Sequence, residues 1–292
     1  MKTFAVFGDV HGRITLMLVL ARRWEEDTGR PLDGVLQVGD MGAFPDTGRL
    51  DRATVRHAAR DTDELGFSEY VRGCAEGAAL LGKPGWPVVW MRGNHEDFEY
   101  LSQFREPTAV DPWGRLHFVP DGTATTVAGV TIGALGGKGR PATERGRGRK
   151  ARATHRKAQR REDPAWLSDR IAATAYADQE LDVLLTHAGP EEVLRGGSPL
   201  LAAAARRIRP KVHLFGHHHV RCGPTPGPGG ATVIGLDHLE FIGDRGDRLQ
   251  TGCWGILELD GDDVRWTWGE ALRWTCQLSR QSYRGWIPSL AG

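Results

Sequence analysis

Five short polar motifs, each directly after an apolar run, constrain the fold of this chain more than any other feature. In chain order they are Asp9-Val10-His11, Gly39-Asp40, Gly93-Asn94-His95-Glu96, Thr186-His187-Ala188-Gly189 and Gly216-His217-His218-His219. The apolar runs are typical of β-strands, and stretches with helical periodicity lie between them. Alternating strands and helices predict an α/β layered fold, in which sites gather beyond the carboxyl ends of the strands.

The same periodicity predicts most elements by position. Strands are expected at residues 3–7, 34–38, 87–91, 116–119, 125–135 with a turn at Ala128-Gly129, 181–185, 212–215, 231–236, 253–259 and 264–268. Helices are expected at 13–27, in one or two pieces within 50–83, at 164–179 and at 200–208, and residues 223–230 are expected to form a turn-rich loop. Because the motifs must converge, residues 1–275 are predicted to be a single domain, with a flexible basic insertion at 137–163 and a tail at 276–292.

The motifs supply carboxylate, imidazole and amide groups suited to metal binding. The predicted ligands are Asp9, His11, Asp40, Asn94, His187, His217 and His219. Such ligation without thiolate favours divalent ions, with Mn²⁺ as the first choice and Fe, Zn²⁺ or Ni²⁺ as alternatives. In an extended chain, side chains at i and i+2 point the same way, so Asp9 and His11 are expected to hold one metal together, and His217 and His219 to face one side while His218 faces the other. Asp40 has two oxygens and is expected to bridge two ions.

The set GDVHG, GD, RGNHE, THAG and GHHH resembles the calcineurin-like metallophosphoesterase superfamily over about residues 3–260. The resemblance implies a four-layer α/β/β/α sandwich and hydrolysis of a phosphate ester by a hydroxide generated at two metals. It implies one metal on Asp9, His11, Asp40 and His219, and a second on Asp40, Asn94, His187 and His217. It also implies that His95 contacts the phosphate as general acid. Arg92 is a candidate phosphate clamp, and Glu96 a candidate to orient a neighbouring histidine.

Features of two branches of that superfamily are mixed in this chain. The first and third motifs resemble those of Ser/Thr phosphatases and diadenosine tetraphosphatases, but Met41-Gly42-Ala43-Phe44-Pro45 stands where that branch has Asp-Arg-Gly. His219 gives the Gly-His-x-His ending typical of phosphodiesterases and nucleases. The motif order also resembles RNA lariat debranching enzymes, which commonly have Cys at the position of Asp9. The favoured activity is phosphodiester hydrolysis, in a nucleic acid or nucleotide.

Two alternatives stay open at this point. One is a phosphomonoesterase, acting on a protein, a small molecule or a dinucleoside polyphosphate. The other is a non-catalytic, metal-stabilised module that binds nucleic acid or serves as a scaffold.

Residues 138–161 form a strongly basic segment, with eleven Lys or Arg against the one acid Glu144. Its composition predicts a loop or a disordered segment, either an arm for single-stranded nucleic acid, nucleotide or polyphosphate, or a solvated surface loop. Lys138 and Arg140 are the best candidates in it for substrate contact, beside Arg92 and His218. The other histidines are expected to be structural, and they are His57, His117, His155, His213 and His238.

The composition of this 292-residue chain indicates its cellular compartment. The chain is 40% hydrophobic and 26% charged. The four cysteines are scattered, as is typical of free thiols in a reducing cytosol. The first apolar run is too short for a signal peptide, and no run approaches the roughly 18–20 apolar residues of a membrane span. A cytoplasmic enzyme without a membrane partner is therefore expected, and no pattern predicts its oligomeric state.

Overall fold

The computed structural model describes residues 1–82, 85–139, 163–243 and 248–290. Its strands are β1 (Lys2–Phe7), β2 (Gly34–Gln37), β3 (Val88–Trp90), β4 (Thr108–Ala109), β5 (Leu116–Phe118), β6 (Ala124–Val127), β7 (Val130–Leu135), β8 (Val183–Thr186), β9 (Val212–Phe215), β10 (Cys222–Pro226), β11 (Thr232–Gly235), β12 (Phe241–Ile242), β13 (Arg248–Leu249), β14 (Trp254–Asp260) and β15 (Asp263–Trp268). Its α-helices are α1 (Ile14–Thr28), α2 (Arg52–Ala58), α3 (Gly66–Arg72), α4 (Ala75–Leu81), α5 (Phe98–Leu101), α6 (Asp169–Thr174), α7 (Pro199–Ile208) and α8 (Ile287–Leu290).

Two large mixed sheets form the centre of the fold. The first has the order β15-β14-β1-β2-β3-β5-β4 and the second has the order β10-β11-β9-β8-β7-β6. In the first, β1, β2, β3 and β5 run parallel, and in the second, β7, β8, β9 and β11 run parallel. Antiparallel strands lie outside each parallel group.

Side-chain alternation on the strands divides the core into layers. Phe4 and Val6 of β1 pack with β7, β8 and β9 between the two sheets, whereas Ala5 and Phe7 pack with α1 on the outer face. On the outer face of the second sheet, Leu184 packs against α6 and α7. Parallel strands buried on both faces give apolar runs of the kind seen in the sequence. The predicted four-layer α/β/β/α sandwich is confirmed.

The parallel strands also explain why distant motifs meet. Neighbouring parallel strands end at the same edge of a sheet, so the residues after β1, β2 and β3 lie side by side. The residues after β8 and β9 do the same on the facing sheet. All five motifs follow these strands.

Several element predictions differ from the structure. Residues 222–226, mostly assigned to a loop, form edge strand β10, because an edge strand can accommodate proline. The helix expected at 164–179 is confined to Asp169–Thr174, where the Ser168 side chain caps its first turn. The stretch 50–83 holds three short helices rather than one or two. The tail contributes α8, which packs against α1 and α4.

None of the helices in the described residues is both long and apolar enough to cross a membrane. Of the predicted basic insertion, residues 140–162 lie outside the part of the chain that the structure describes.

Candidate metal centre

The five motifs meet in a cleft of about 440 Å³ between the carboxyl ends of the two sheets. Predicted ligands that line the cleft are His11, Asp40, Asn94, His217 and His219. The other two, Asp9 and His187, lie beneath it and are fully buried. The structure therefore brings all seven predicted ligands to one place.

One group of donor atoms forms around Asp9. The ligand atoms of Asp9, His11 and His219 all lie within 4.8 Å of one another. Oδ2 of Asp9 is 3.1 Å from Nε2 of His219, and Oδ2 of Asp40 is 3.9 Å from Nε2 of His11. This is the set that the resemblance implies for the first metal.

A second group forms around His187. Its Nε2 is 3.1 Å from Oδ1 of Asn94 and 3.4 Å from Oδ2 of Asp40. The ring of His217 lies 4.9 Å from that of His187, between centroids. Because Oδ2 of Asp40 faces both His11 and His187, one oxygen of this carboxylate is shared by the two groups.

The hydrogen bonds of His187 show that this group suits a cation. Its Nδ1 is 3.0 Å from the carbonyl oxygen of Val38, which can only accept, so Nδ1 carries the hydrogen. A neutral ring then turns the lone pair of Nε2 toward two oxygen acceptors. Burial lowers the pKa of His187, but the charges of Asp40 and Asp9 outweigh it and raise the pKa to about 9. The oxygens that attract this proton are equally suited to a metal ion.

Backbone N–H groups donate hydrogen bonds to the carboxylates of Asp40 and Asp9. Oδ1 of Asp40 accepts from the backbone N–H groups of Asn94 at 2.6 Å and His95 at 2.7 Å. The backbone N–H of His217 donates to both oxygens of Asp9, at 3.0 Å to Oδ1 and 3.2 Å to Oδ2. These bonds fix both carboxylates, and that of Asp40 is oriented with Oδ2 toward the donor groups, as second-layer hydrogen bonds orient metal ligands.

Two of the remaining histidines are neutral in this environment. Burial lowers the pKa of His11 to about 4 and, with the charge of His187, that of His217 to about 3. A neutral imidazole is the form that binds a metal. The donor set thus fits two divalent cations.

Four of the seven predicted ligands have an unusual backbone conformation. His11, Asp40, His217 and His219 have φ of 46°, 53°, 64° and 49°. Non-glycine residues rarely adopt this left-handed region. The prediction that Asp9-to-His11 and His217-to-His219 are extended is therefore wrong, although their side chains converge. Tight turns aim these side chains, and not the alternation of a strand.

Asp51 is a residue of the site that the sequence analysis missed. Its Oδ2 lies 2.6 Å from Nδ1 of His95, and its Oδ1 accepts from the backbone N–H of Thr54 at the start of α2. The hydrogen bond with Asp51 raises the pKa of His95. The available signal was an acidic residue at the N-cap of a predicted helix, which by itself indicates only a cap.

Arg92 is not directed into the cleft. Its Nε and Nη2 donate to Oδ2 of Asp121 at 2.9 and 2.6 Å, and Nη1 donates to the carbonyl of Pro164. Nη2 also reaches the carbonyl oxygens of Gly136 and Trp166, both at 3.3 Å. This guanidinium links the third motif to residues on both sides of the basic segment. Its orientation gives no support to the phosphate-clamp role predicted for Arg92.

Glu96 also differs from its predicted role. Its carboxylate accepts from the backbone N–H groups of Met41 at 3.0 Å, Gly93 at 3.3 Å and Ala43. Burial and the charge of Asp40 raise the pKa of Glu96 to about 8. It orders the backbone after the second and third motifs and does not orient a histidine ring.

The other predicted substrate contacts that the structure describes are not among the residues that line the cleft, although the ring of His218 lies 5.2 Å from that of His217, between centroids. His218 packs its ring against Phe215, with centroids 6.0 Å apart. The ammonium of Lys138 lies 4.8 Å from the ring centroid of Trp166. Arg140 lies outside the described residues.

Four further residues of the cleft were not predicted as site residues. They are Arg13, Glu64, His238 and Glu240, which all line the cleft. The ring of His238, expected to be structural, lies 4.4 Å from that of His219, and its Nε2 is 2.7 Å from Oε1 of Glu240.

Residues 2–221 match the model of a known protein family, described as calcineurin-like phosphoesterase. No curated protein sequence matches the chain. Among solved structures, a protein of Thermus thermophilus is similar with a TM-score of 0.45 and 14% identity, over 92% of this chain and 99% of that one. A protein of Thermotoga maritima has a TM-score of 0.30 and 16% identity, over 92% and 98%. The family match ends before His238 and Glu240.

Proposed function

This chain belongs to the calcineurin-like phosphoesterase family, and we propose that it is a two-metal phosphodiesterase acting on a nucleotide or nucleic acid. Family membership implies hydrolysis of a phosphate ester. The observation that carries the two-metal proposal is the position of Asp40, whose Oδ2 lies 3.4 Å from Nε2 of His187 and 3.9 Å from Nε2 of His11. One carboxylate oxygen facing both donor groups is suited to serve as a ligand that two ions share.

The proposed ion sites share Asp40. Asp9, His11, Asp40 and His219 would hold one ion, and Asp40, Asn94, His187 and His217 the other. Bound ions would supply positive charge at the phosphate and a nucleophile at neutral pH. Mn²⁺ is the proposed ion, with Fe, Zn²⁺ or Ni²⁺ as alternatives, since the donors are oxygen and imidazole nitrogen without thiolate.

His95 is the proposed proton donor. Asp51 binds Nδ1 of its ring, which leaves Nε2 to protonate the leaving oxygen of the ester. The carboxylate of Asp51 fixes the ring and favours its protonated form. Since His95 lines the cleft beside Asp40 and Asn94, the donor lies next to the ligand groups.

The choice of a phosphodiester rests on His219 and on charge. His219 completes the Gly-His-x-His ending and takes part in the first donor group. Residues 138–161 add a large positive charge to an otherwise acidic chain, which suits a polyanionic substrate. A phosphomonoesterase is the second candidate, favoured by the first and third motifs and by the His95–Asp51 pair.

A comparison of substrates tests this proposal. With Mn²⁺, we expect hydrolysis of a bis-aryl phosphate and of single-stranded RNA or DNA in preference to an aryl monophosphate. His95→Ala should lower kcat by about 10²–10⁴-fold, and Asp40→Asn should remove the activity. Cleavage of the monoester alone would select the second candidate. No cleavage with Mn²⁺, Fe²⁺, Zn²⁺ or Ni²⁺ would leave a metal-stabilised binding module.

Salt dependence tests the proposed nucleic-acid partner. If the basic segment binds a single strand, log KM for that substrate should rise with log salt by about 0.7 per phosphate contacted. The bis-aryl phosphate is the matched control, because it carries one phosphate and should respond little. Equal responses of the two substrates would contradict a nucleic-acid partner.

A cytosolic location belongs to the same proposal. Cys74, Cys222, Cys253 and Cys276 are free thiols, as is typical of proteins in a reducing compartment.

A further inference from the structure

Arg13 is a positively charged side chain in the cleft that contains the proposed metal sites. It follows the first motif by two residues, is only 6% exposed, and lines the cleft beside His11, Asp40 and His95. Among the described residues that line this cleft, it is the single Arg or Lys. The cleft therefore has an arginine, although Arg92 is turned to Asp121.

Two acids fix the orientation of the Arg13 guanidinium. Nε donates to Oδ2 of Asp61 at 3.0 Å, and Nη2 donates to Oε1 of Glu64 at 2.9 Å. Within the described part of the chain, Nη1 has no such partner. Both acids are themselves largely buried, so the arginine is held in one direction with one nitrogen left to donate.

Residues distant in the sequence contact these acids and their neighbour Asp63. Arg280 contacts the same oxygen of Asp61 at 3.5 Å. Two residues on, Asp63 accepts from Tyr283 at 2.7 Å and from Arg284 at 2.7 Å. The backbone of Glu64 also lies against Gly12, where a β-carbon would come within 2.1 Å of the Glu64 carbonyl oxygen. These contacts hold the stretch from Asp61 to Glu64 in place beside Arg13.

We propose that Arg13 binds an anionic oxygen of the phosphate ester in the cleft, with Asp61 and Glu64 as its positioning residues. Guanidinium donors pair well with phosphate oxygens. Glu64 and Glu240 make the lining near Arg13 acidic, and Arg13 would add positive charge there to that of the bound ions. This proposal rests on the proposed function, because it assigns the contact to the same site.

The test measures phosphate affinity directly and does not depend on turnover. Inorganic phosphate is titrated into the Mn²⁺-loaded full chain by calorimetry, for wild type, Arg13→Met, Arg13→Lys and Glu64→Gln. Loss of a charged hydrogen bond should weaken phosphate binding about 10- to 100-fold in Arg13→Met, less in Arg13→Lys, and least in Glu64→Gln. Mn²⁺ content should stay at the wild-type level in all of them.

Arg22→Met is the matched control. Arg22 lies on α1 with 16% of its side chain exposed and pairs with Glu25, away from the cleft. We expect its phosphate affinity to equal that of the wild type. If Arg13→Met does not fold, Arg13→Lys and Glu64→Gln still decide the matter.

Two results would overturn the role of Arg13. One is phosphate affinity within about twofold of wild type in Arg13→Met, and the other is loss of Mn²⁺ in parallel with phosphate, which would mean that Arg13 only supports His11. Failure of the proposed function is a separate result, since a wild type that binds phosphate but cleaves no ester leaves the Arg13 contact standing.

Discussion

At the residue scale, the candidate site depends on conformations and close approaches that few residue types allow. His11, Asp40, His217 and His219 occupy the left-handed region, which costs non-glycine residues roughly 1–3 kcal/mol each. Such positions are typical of functional sites, where surrounding contacts hold them. The sequence motifs predict these residues as ligands, but the turns that aim them could not be predicted from side-chain alternation.

Gly93→Ala is expected to weaken metal binding. A β-carbon at Gly93 would lie 2.0 Å from Oδ1 of Asp40, so the shared carboxylate must move. Mn²⁺ affinity should fall about 10- to 100-fold, measured by titration with a competing chelator. Gly285→Ala is the control, since a β-carbon there meets nothing within 4 Å. Unchanged Mn²⁺ affinity in Gly93→Ala would show that Asp40 is not held this tightly.

Asp51→Asn should impair proton donation by His95 without removing the ions. The expected loss in kcat is larger for an alkyl leaving group than for a nitrophenolate, because the latter leaves without a proton. The ratio of kcat for the two esters, compared with that of wild type, is the measurement. A loss of equal size for both leaving groups would mean that Asp51 supports the fold and not the proton transfer.

At the element scale, the sequence predicts the strands that carry the site better than the segments around them. The strands β1, β2, β8 and β9 appear as apolar runs because both faces of each parallel strand are buried. Edge strand β10 and the helices within 50–83 were predicted poorly, since proline and short polar turns give the same pattern in a loop. The Asp51–His95 contact joins the start of one of these helices to the motif after β3, and only the packed structure shows it.

The Arg92–Asp121 pair is expected to stabilise the contact between the loop after β3 and the second sheet. Its side chains are 13% and 8% exposed, so removing one partner leaves a buried charge. Arg92→Met and Asp121→Asn should each lower the free energy of unfolding by about 3–5 kcal/mol, measured with denaturant. Phosphate affinity should remain within a few fold of wild type in the folded state. A large loss of phosphate affinity in Arg92→Met, with normal affinity in Asp121→Asn, would restore the phosphate-clamp role.

At the scale of the whole molecule, the site joins the carboxyl ends of two sheets across the sandwich. The Asp9, Asp40 and Asn94 groups come from the first sheet, and the His187, His217 and His219 groups from the second. A ligand bound between them should stabilise the sandwich as one unit, because only the folded chain assembles both halves.

Mn²⁺ should therefore raise the melting temperature. At 100 times its Kd, one bound ion adds about 2.7 kcal/mol, which for a chain of this size is a shift of several degrees. Asp40→Asn should lose this increment, whereas Arg22→Met should keep it. A wild-type melting temperature that does not respond to Mn²⁺ or to chelator would contradict a resident ion.

The most direct measurement of the central claim is anomalous diffraction at the manganese edge from crystals grown with Mn²⁺. The proposed centre predicts two peaks, roughly 3.5–4 Å apart, with Oδ2 of Asp40 between them. Asp9, His11 and His219 should surround one peak, and Asn94, His187 and His217 the other. A single peak, or peaks that do not share Asp40, would contradict the two-metal centre.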